Sequence, residues 1–408
     1  MSIPTLAEFE DAAAVLRGVV SHTPLEQSEH LSEVLGAPVR LKLENLQRTG
    51  SFKIRGAAYR LSRLSAQERA HGVVAASAGN HAQGVALAAQ KLGIPATIFM
   101  PLGVPVPKLL ATRGYGADVI LDGATVETPL RLAAEFADRT GAVLIHPFDH
   151  RDVIVGQGTL GLEILDDAPE TETLIMGIGG GGLVAGVAAA AKARAAAAGR
   201  TVRVIGVQAE NSAAYPASLA AGEPLEVATT PTIADGIAVA RPGDVPFEVI
   251  RELVDEVVTV SDDDIARALL VLLERAKQVV EPAGAVGVAA ILAGKIAASG
   301  PTVVILSGGN IDPLLLQRVV AHGLAASGRY MTLQIPLPDR PGQLARVAEI
   351  LALAGANVIE ALHTRHGQGM QISEVILQLS VETRGEEHRQ RVIALLEEAG
   401  FAPRIVPD

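Results

Sequence analysis

Short apolar runs, each bounded by Gly or Pro and followed by an Ala-rich segment of helical period, recur from residue 1 to about 325. They include VRLKLE (39–44), GVVAAS (72–77), ATIFMP (96–101), ADVILD (117–122), TLIMGI (173–178), VRVIGVQ (202–208) and TVVILS (302–307). The runs are rich in β-branched residues and lack the alternation of half-buried strands. That pattern suits parallel strands covered on both faces by helices, and it confines the chain to an α/β architecture. Open sheets of this kind hold ligands at the C-terminal ends of their strands. The unusual residues lie there: SAGNH (77–81), GGGGL (179–183) and SGGN (307–310).

With 408 residues the chain exceeds one ordinary core and predicts two or three domains. Apolar residues make up 49% and aromatics only 3%, so aliphatic side chains must fill the cores. A formal charge of -11 argues against nucleic acid or an anionic membrane as the main partner, although converging backbone N–H groups still suit a small anion. The absence of Cys removes disulfides, thiolate nucleophiles and Cys metal sites. The acidic, helix-patterned start MSIPTLAEFEDAAAVLRG does not read as a signal peptide, and no apolar run is membrane-like. The expectation is a cytoplasmic chain.

The pattern changes after Asn310. IDPLLLQRVVAHGLAASG reads as the closing helix of a first domain, 1–325, whose smaller subdomain, about 50–150, is inserted in a larger one. A boundary at 325–329 precedes a second domain, 330–408. There the expected order is strand 330–337, helix 341–356, strand 357–366, a turn at GQG, strand 370–383, helix 386–400 and strand 401–406. Pro341 is placed in the first helical turn, where its missing N–H costs nothing. This βαββαβ order predicts a ferredoxin-like module.

Chemistry concentrates in a few loops. LKLENLQRTGSFKIRGA (41–57) sets Lys53 and Arg55 just after a strand. A lysine there is ordinarily solvated; partial burial would lower its pKa and make it a Schiff-base nucleophile. Gly179, Gly180, Gly181 and Gly182 remove every Cβ from a strand-to-helix turn, so successive N–H groups and the helix dipole can meet a phosphate. The spacing fits neither the dinucleotide nor the P-loop pattern, which favours a small monophosphate. Ser77, Gly79, Asn80 and His81 open another helix, suited to a carboxylate or a cofactor oxygen, although Ser77 or Asn80 could serve merely as an N-cap. Ser307 ends a further strand, where it could cap or meet a ring nitrogen. Together these are parts for pyridoxal 5'-phosphate.

The segments ENLQRTGSFKIRGA, SAGNHAQGVA, GQGTLGLEI, GGGGL, IGVQ, IADG, EPAGAVG and LSGGN, in this order from about 20 to 315, resemble the fold-type II pyridoxal-phosphate enzymes, and within them the threonine dehydratases. The resemblance implies a tryptophan synthase β-like fold with two open α/β subdomains. By it Lys53 carries the cofactor, Phe52 packs beside the ring, Asn80 meets the 3'-oxygen, Gly179 to Leu183 hold the phosphate and Ser307 faces the ring nitrogen. Ser77, Ala78, Gly79 and His81 frame the substrate, and Gly236 and Glu281 line the cofactor pocket. The implied reaction is elimination of water from L-threonine, and from L-serine, giving a 2-oxo acid and ammonia. Serine racemases of the family carry a second Ser where this chain has Ala78, and metal-binding carboxylates where it has Gln208 and Ala214, so no metal site is expected. Serine or hydroxyaspartate dehydratases, racemases and a non-catalytic amino-acid sensor are the alternatives.

The second module resembles an ACT domain. LPDRPGQLARV (337–347) and GANVIEA (355–361) match its ligand-facing regions, which makes Asp339, Arg340, Gly342, Gln343, Leu344 and Asn357 candidates for an isoleucine or valine effector. A dimerisation module without allosteric response is the alternative. Side-by-side pairing of two such modules would cover edge strands and give a homo-oligomer, dimer or tetramer.

Overall fold

A computed structural model describes residues 2–125, 127–298, 300–326, 328–365 and 373–406. It divides into two compact units, Met1–Asp312 and Pro313–Asp408. In the first, β1 (Leu25–Gln27) and β2 (Val39–Lys42) open one sheet. The chain then leaves to build a second sheet from β3 (Val73–Ala76), β4 (Ala96–Met100), β5 (Asp118–Leu121) and β6 (Val143–Leu144). It returns to the first with β7 (Thr173–Gly177), β8 (Arg203–Ala209), β9 (Glu256–Val260) and β10 (Thr302–Ile305). The larger sheet runs β1-β2-β10-β7-β8-β9 and the smaller β5-β4-β3-β6.

All neighbours pair in parallel except β1, which runs antiparallel to β2 at an edge. Every residue of β3, β7 and β10 is buried, as the non-alternating runs require. The core between sheets and helices is aliphatic, with Ala lining the helix Gly182–Ala197 where it is covered. The sequence reading lacks β1, β6 and β9. β1 and β6 have three and two residues, too few for a periodic signal, and β9 is a half-buried edge with a single buried residue.

Among the described residues, no helix is long and apolar enough to cross a membrane.

Arg55 does not face the ligand loops. Its buried guanidinium pairs with Glu44 at 2.8 Å and Glu163 at 2.9 Å, and buried Lys42 reaches Glu163 at 2.8 Å. The ordinary desolvation cost of these four charges is offset by mutual pairing, which anchors the helix Lys53–Ser62 to β2 and the helix Arg151–Asp167.

In the second unit, helix Pro313–Ala326 precedes β11 (Tyr330–Pro338), helix Gln343–Ala354, β12 (Asn357–Thr364), β13 (Glu374–Glu382), helix Glu386–Glu398 and β14 (Arg404–Val406). The sheet is antiparallel in the order β12-β13-β11-β14, the ferredoxin-like arrangement. β11 and β13 alternate buried and half-buried residues, with Leu333, Ile335, Leu377 and Leu379 facing the helices. The expected turn at 367–369 and strand start at 370–372 lie outside the described residues. Pro341 stands before the helix rather than in its first turn, because Gly342, at φ 89°, turns the chain and becomes the N-cap. The last strand is shorter than expected because Phe401 is buried in the module's core.

Candidate active site

The C-terminal ends of β3, β4, β7 and β10 open on one cavity of about 360 Å³. Lys53, Phe52, Ser77, Ala78, Gly79, Asn80, His81, the glycines 179–182, Leu183, Gly236, Glu281 and Ser307 all line it, so loops separated by more than 250 positions converge as the resemblance implies.

Lys53 opens the helix Lys53–Ser62. Its amine lies 5.3 Å from the centre of the Phe52 ring and donates to the Pro147 carbonyl at 3.1 Å. Burial brings the amine down to about 8, against the pull of the Glu281 carboxylate in the opposite direction. About a tenth is thus unprotonated at pH 7, far more than for an ordinary lysine, and it is this neutral form that attacks an aldehyde. The Phe52 N–H donates to the Ser307 carbonyl at 3.1 Å, which ties the lysine's segment to the end of β10.

The glycine turn links β7 to the helix Gly182–Ala197. Gly181 has φ 103°, and a Cβ there would collide with the Tyr215 hydroxyl. A Cβ on Gly180 would collide with the Phe148 ring. The Tyr215 hydroxyl and the Gly243 N–H both donate to the Gly180 carbonyl, at 3.2 and 3.1 Å, which turns that oxygen away from the N–H groups of the turn. The result is a cradle of backbone donors at the start of a sixteen-residue helix, a form that fits a phosphate.

At the end of β3, the Gly79 N–H donates to Ser77 Oγ at 3.1 Å, and Gly79 is the N-cap of the helix Asn80–Leu92 without a side-chain cap. Neither Ser77 nor Asn80 is spent on capping. Asn80 turns inward, donating through Nδ2 to Glu281 Oε1 at 2.6 Å and accepting from Asn310 Nδ2 at 2.8 Å. Burial, then the nearby Asp235, push the Glu281 carboxyl up to about 7, while Lys108, Asn80 and Lys53 oppose the shift. His81 is buried, and its Nε2–H donates to the Ile145 carbonyl at 2.7 Å. Burial and the neighbouring Lys53 lower its pKa to about 3, so it is a neutral ring that fixes the loop. Gln208 donates to the Ile178 carbonyl at 3.3 Å and accepts from the Tyr215 N–H at 2.9 Å, which occupies it inside the protein.

A phosphate cradle, a depressed lysine amine beside an aromatic ring, and a buried Ser307 lining the same cavity fit one flat phosphorylated aldehyde. Residues 16–308 match the family model described as pyridoxal-phosphate dependent enzyme, and 331–401 match the ACT domain. The chain belongs to the pyridoxal-phosphate-dependent enzymes. It is 47% identical over 403 residues to the L-threonine ammonia-lyase of Thermotoga maritima, covering 98% of this chain and 99% of that one. Among solved structures it is similar to the processed threonine deaminase isoform 2 of Solanum lycopersicum, with TM-score 0.73 and 38% identity over 78% of this chain and 93% of that one. It is also similar to maize serine racemase, with TM-score 0.74 and 36% identity over 80% and 99%. This pyridoxal-phosphate-dependent enzyme thus pairs the family's catalytic fold with a C-terminal ACT module.

Sequence reasoning missed several residues that line the site, three of them with contacts that shape it. Phe148 walls the glycine turn, the Pro147 carbonyl receives Lys53, and Lys108 projects into the cavity from the helix Val106–Gly114. For Lys108 the one available signal was its place: PLGVPVPK follows the C-terminal end of β4, where the strand-end rule puts ligand contacts.

The candidate effector residues are not brought together within one module. Register places Pro338 opposite Glu374, beside Asp339 to Leu344, but Asn357 opposite Glu382 at the other end of the sheet.

Proposed function

We propose that this enzyme eliminates water from L-threonine, and from L-serine, releasing 2-oxobutanoate or pyruvate and ammonia. The observation that carries the reading is the buried Lys53 amine at the Pro147 carbonyl, its pKa brought down to about 8, with the glycine cradle and Ser307 lining the same cavity. Bound pyridoxal phosphate supplies an electron sink for charge developing at the substrate Cα. Lys53 holds the proton removed from Cα. Asn80, locked between Glu281 and Asn310, would meet the 3'-oxygen of the ring, and the Ser307 hydroxyl would meet its nitrogen without imposing a full negative charge. Gly179 to Leu183 would hold the phosphate through backbone N–H groups.

Racemisation needs a proton donor on each face of Cα, and Ala78 has no exchangeable proton to offer opposite the lysine. Asp235 and Glu281 both border the cavity, which disfavours hydroxyaspartates with their second carboxylate. Threonine and serine differ by one methyl, worth about 1–3 kcal/mol in an apolar pocket, so both should react, with threonine preferred. The intact lysine and cradle support an enzyme over an amino-acid sensor. We further infer a cytoplasmic homo-oligomer in which isoleucine or valine acts through Asp339, Arg340, Gly342, Gln343, Leu344 and Asn357. The deciding assay is release of 2-oxo acid from threonine, serine and both hydroxyaspartates, with and without isoleucine. Faster turnover of a hydroxyaspartate, or D-serine formation from L-serine, would refute the assignment.

A further inference from the structure

Lys108 also lines the cavity, and its ammonium is not among the groups assigned to the cofactor. It rises from the helix that follows β4 in the smaller sheet and crosses the cavity mouth toward the larger, where its Nζ lies 3.7 Å from Asp235 Oδ2. The lysine side chain is 15% exposed and the aspartate 67%, so the cation is enclosed while its partner sits in water. Such a long, half-solvated pair holds its members weakly. The same Nζ stands 3.7 Å from where a Cβ on Gly79 would be, directly over the turn that opens the helix Asn80–Leu92.

The charges around the cavity give this position its meaning. Among the described lining residues the acids are Asp235 and Glu281, and His81 is neutral. Lys53 is taken by the cofactor, so Lys108 is the one cation left among those lining residues for an incoming carboxylate. The Ser77–Asn80 turn lines the same cavity as Lys53, so an amino acid whose amine is held at Lys53 can set its carboxylate over that turn, beneath Lys108. The first-turn N–H groups there provide dipoles but no full charge.

We propose that Lys108 is a substrate-binding residue whose ammonium, parked on Asp235 in the free enzyme, transfers to the α-carboxylate of the bound amino acid. The inference rests on the proposed amino-acid substrate. It requires ligands to carry a free α-carboxylate, because an amine without one leaves Lys108 on Asp235.

The test is a titration of the cofactor-loaded full chain, followed by the absorption of the bound cofactor, with L-alanine and with ethylamine, which is alanine without the carboxylate. Neither ligand has a β leaving group. In Lys108→Met the affinity for alanine should fall by about 10–100-fold, the loss of one charge-assisted hydrogen bond, while that for ethylamine stays unchanged. The KM for threonine should rise in parallel with far less change in kcat, and Lys108→Arg should recover most of the affinity. Lys108→Gln repeats the measurement should the Met variant fail to fold. Equal losses for alanine and ethylamine, or no loss for either, would overturn the proposal. A wild-type chain inert toward threonine would sink the functional reading instead, and the alanine-to-ethylamine ratio would still decide the role of Lys108.

Discussion

Asn80 and Glu281, two hundred positions apart in sequence, meet at 2.6 Å, so the turn after β3 and the start of the helix Pro282–Leu292 share one hydrogen bond at the cavity wall. Glu281 is raised from 4.5 to about 7, chiefly by burial. Between these values the folded chain keeps a proton that the unfolded chain has released, so stability falls as pH rises through this window and is level above it. The total is about 3 kcal/mol by linkage. Glu281→Gln keeps an oxygen for Asn80 and cannot ionise. Its melting temperature relative to wild type, without added cofactor, should climb from pH 4.5 to 7 and then stay constant. A difference independent of pH would show that Glu281 is not raised.

Lys53 is shifted the other way, from 10.5 to about 8, again by burial first. Only the neutral amine attacks an aldehyde, so the rate of covalent capture of pyridoxal phosphate should rise through pH 8 and then level off. An ordinary lysine would keep accelerating to about pH 10. Because Glu281 holds the Lys53 pKa up, Glu281→Gln should move the midpoint to lower pH. Mass spectrometry after borohydride trapping at a series of pH values reads this directly. Lys53→Ala should abolish capture and turnover together.

Gly181 combines φ 103° with the Tyr215 hydroxyl at the place of its missing Cβ. Gly181→Ala meets both backbone strain and overlap, each about 1–3 kcal/mol. Since the turn is the phosphate cradle, the expected result is at least about a tenfold weaker hold on the cofactor, read by equilibrium dialysis. Tyr215→Phe removes one donor to the Gly180 carbonyl and should cost only about 1 kcal/mol. Similar affinities for all three proteins would mean the phosphate is held elsewhere.

Strand ends carried most of the site in the sequence, because buried parallel strands and small-residue turns both write themselves in composition. The glycines 179–182 and Lys53 were legible for that reason. What was not legible is which way a side chain turns. Arg55, two residues from Lys53, lies on the opposite side of the helix and is consumed by Glu44 and Glu163. Asn80 bypasses capping for Glu281, and His81 spends its N–H on Ile145. Lys108 escaped notice because a lone lysine after a strand carries no spacing signal, and only tertiary structure shows Gly79 beneath it. Likewise β9 hides its five residues in a half-buried edge.

The edge strand β12 exposes all eight of its residues, including the apolar Ile359 and Leu362, each 48% exposed. An unpaired edge with apolar side chains is a surface for another strand, and a second copy of this module would offer the same edge. The separation of the effector candidates argues for that occupant. β11 runs from Tyr330, at the end of the sheet that also holds Asn357, to Pro338 beside Asp339, a span of about 27 Å. One module cannot close both around an amino acid, whereas a two-fold partner can bring its own copy of Asn357 toward the first copy's Asp339. Ile359→Lys with Leu362→Lys should leave the melting of the module nearly unchanged, since exposed substitutions shift stability by about 0.5 kcal/mol or less. It should lower the mass measured by light scattering and remove any response to isoleucine, while turnover of threonine persists. An unchanged mass, or an effector response retained by the smaller species, would place the interface and the effector site away from β12.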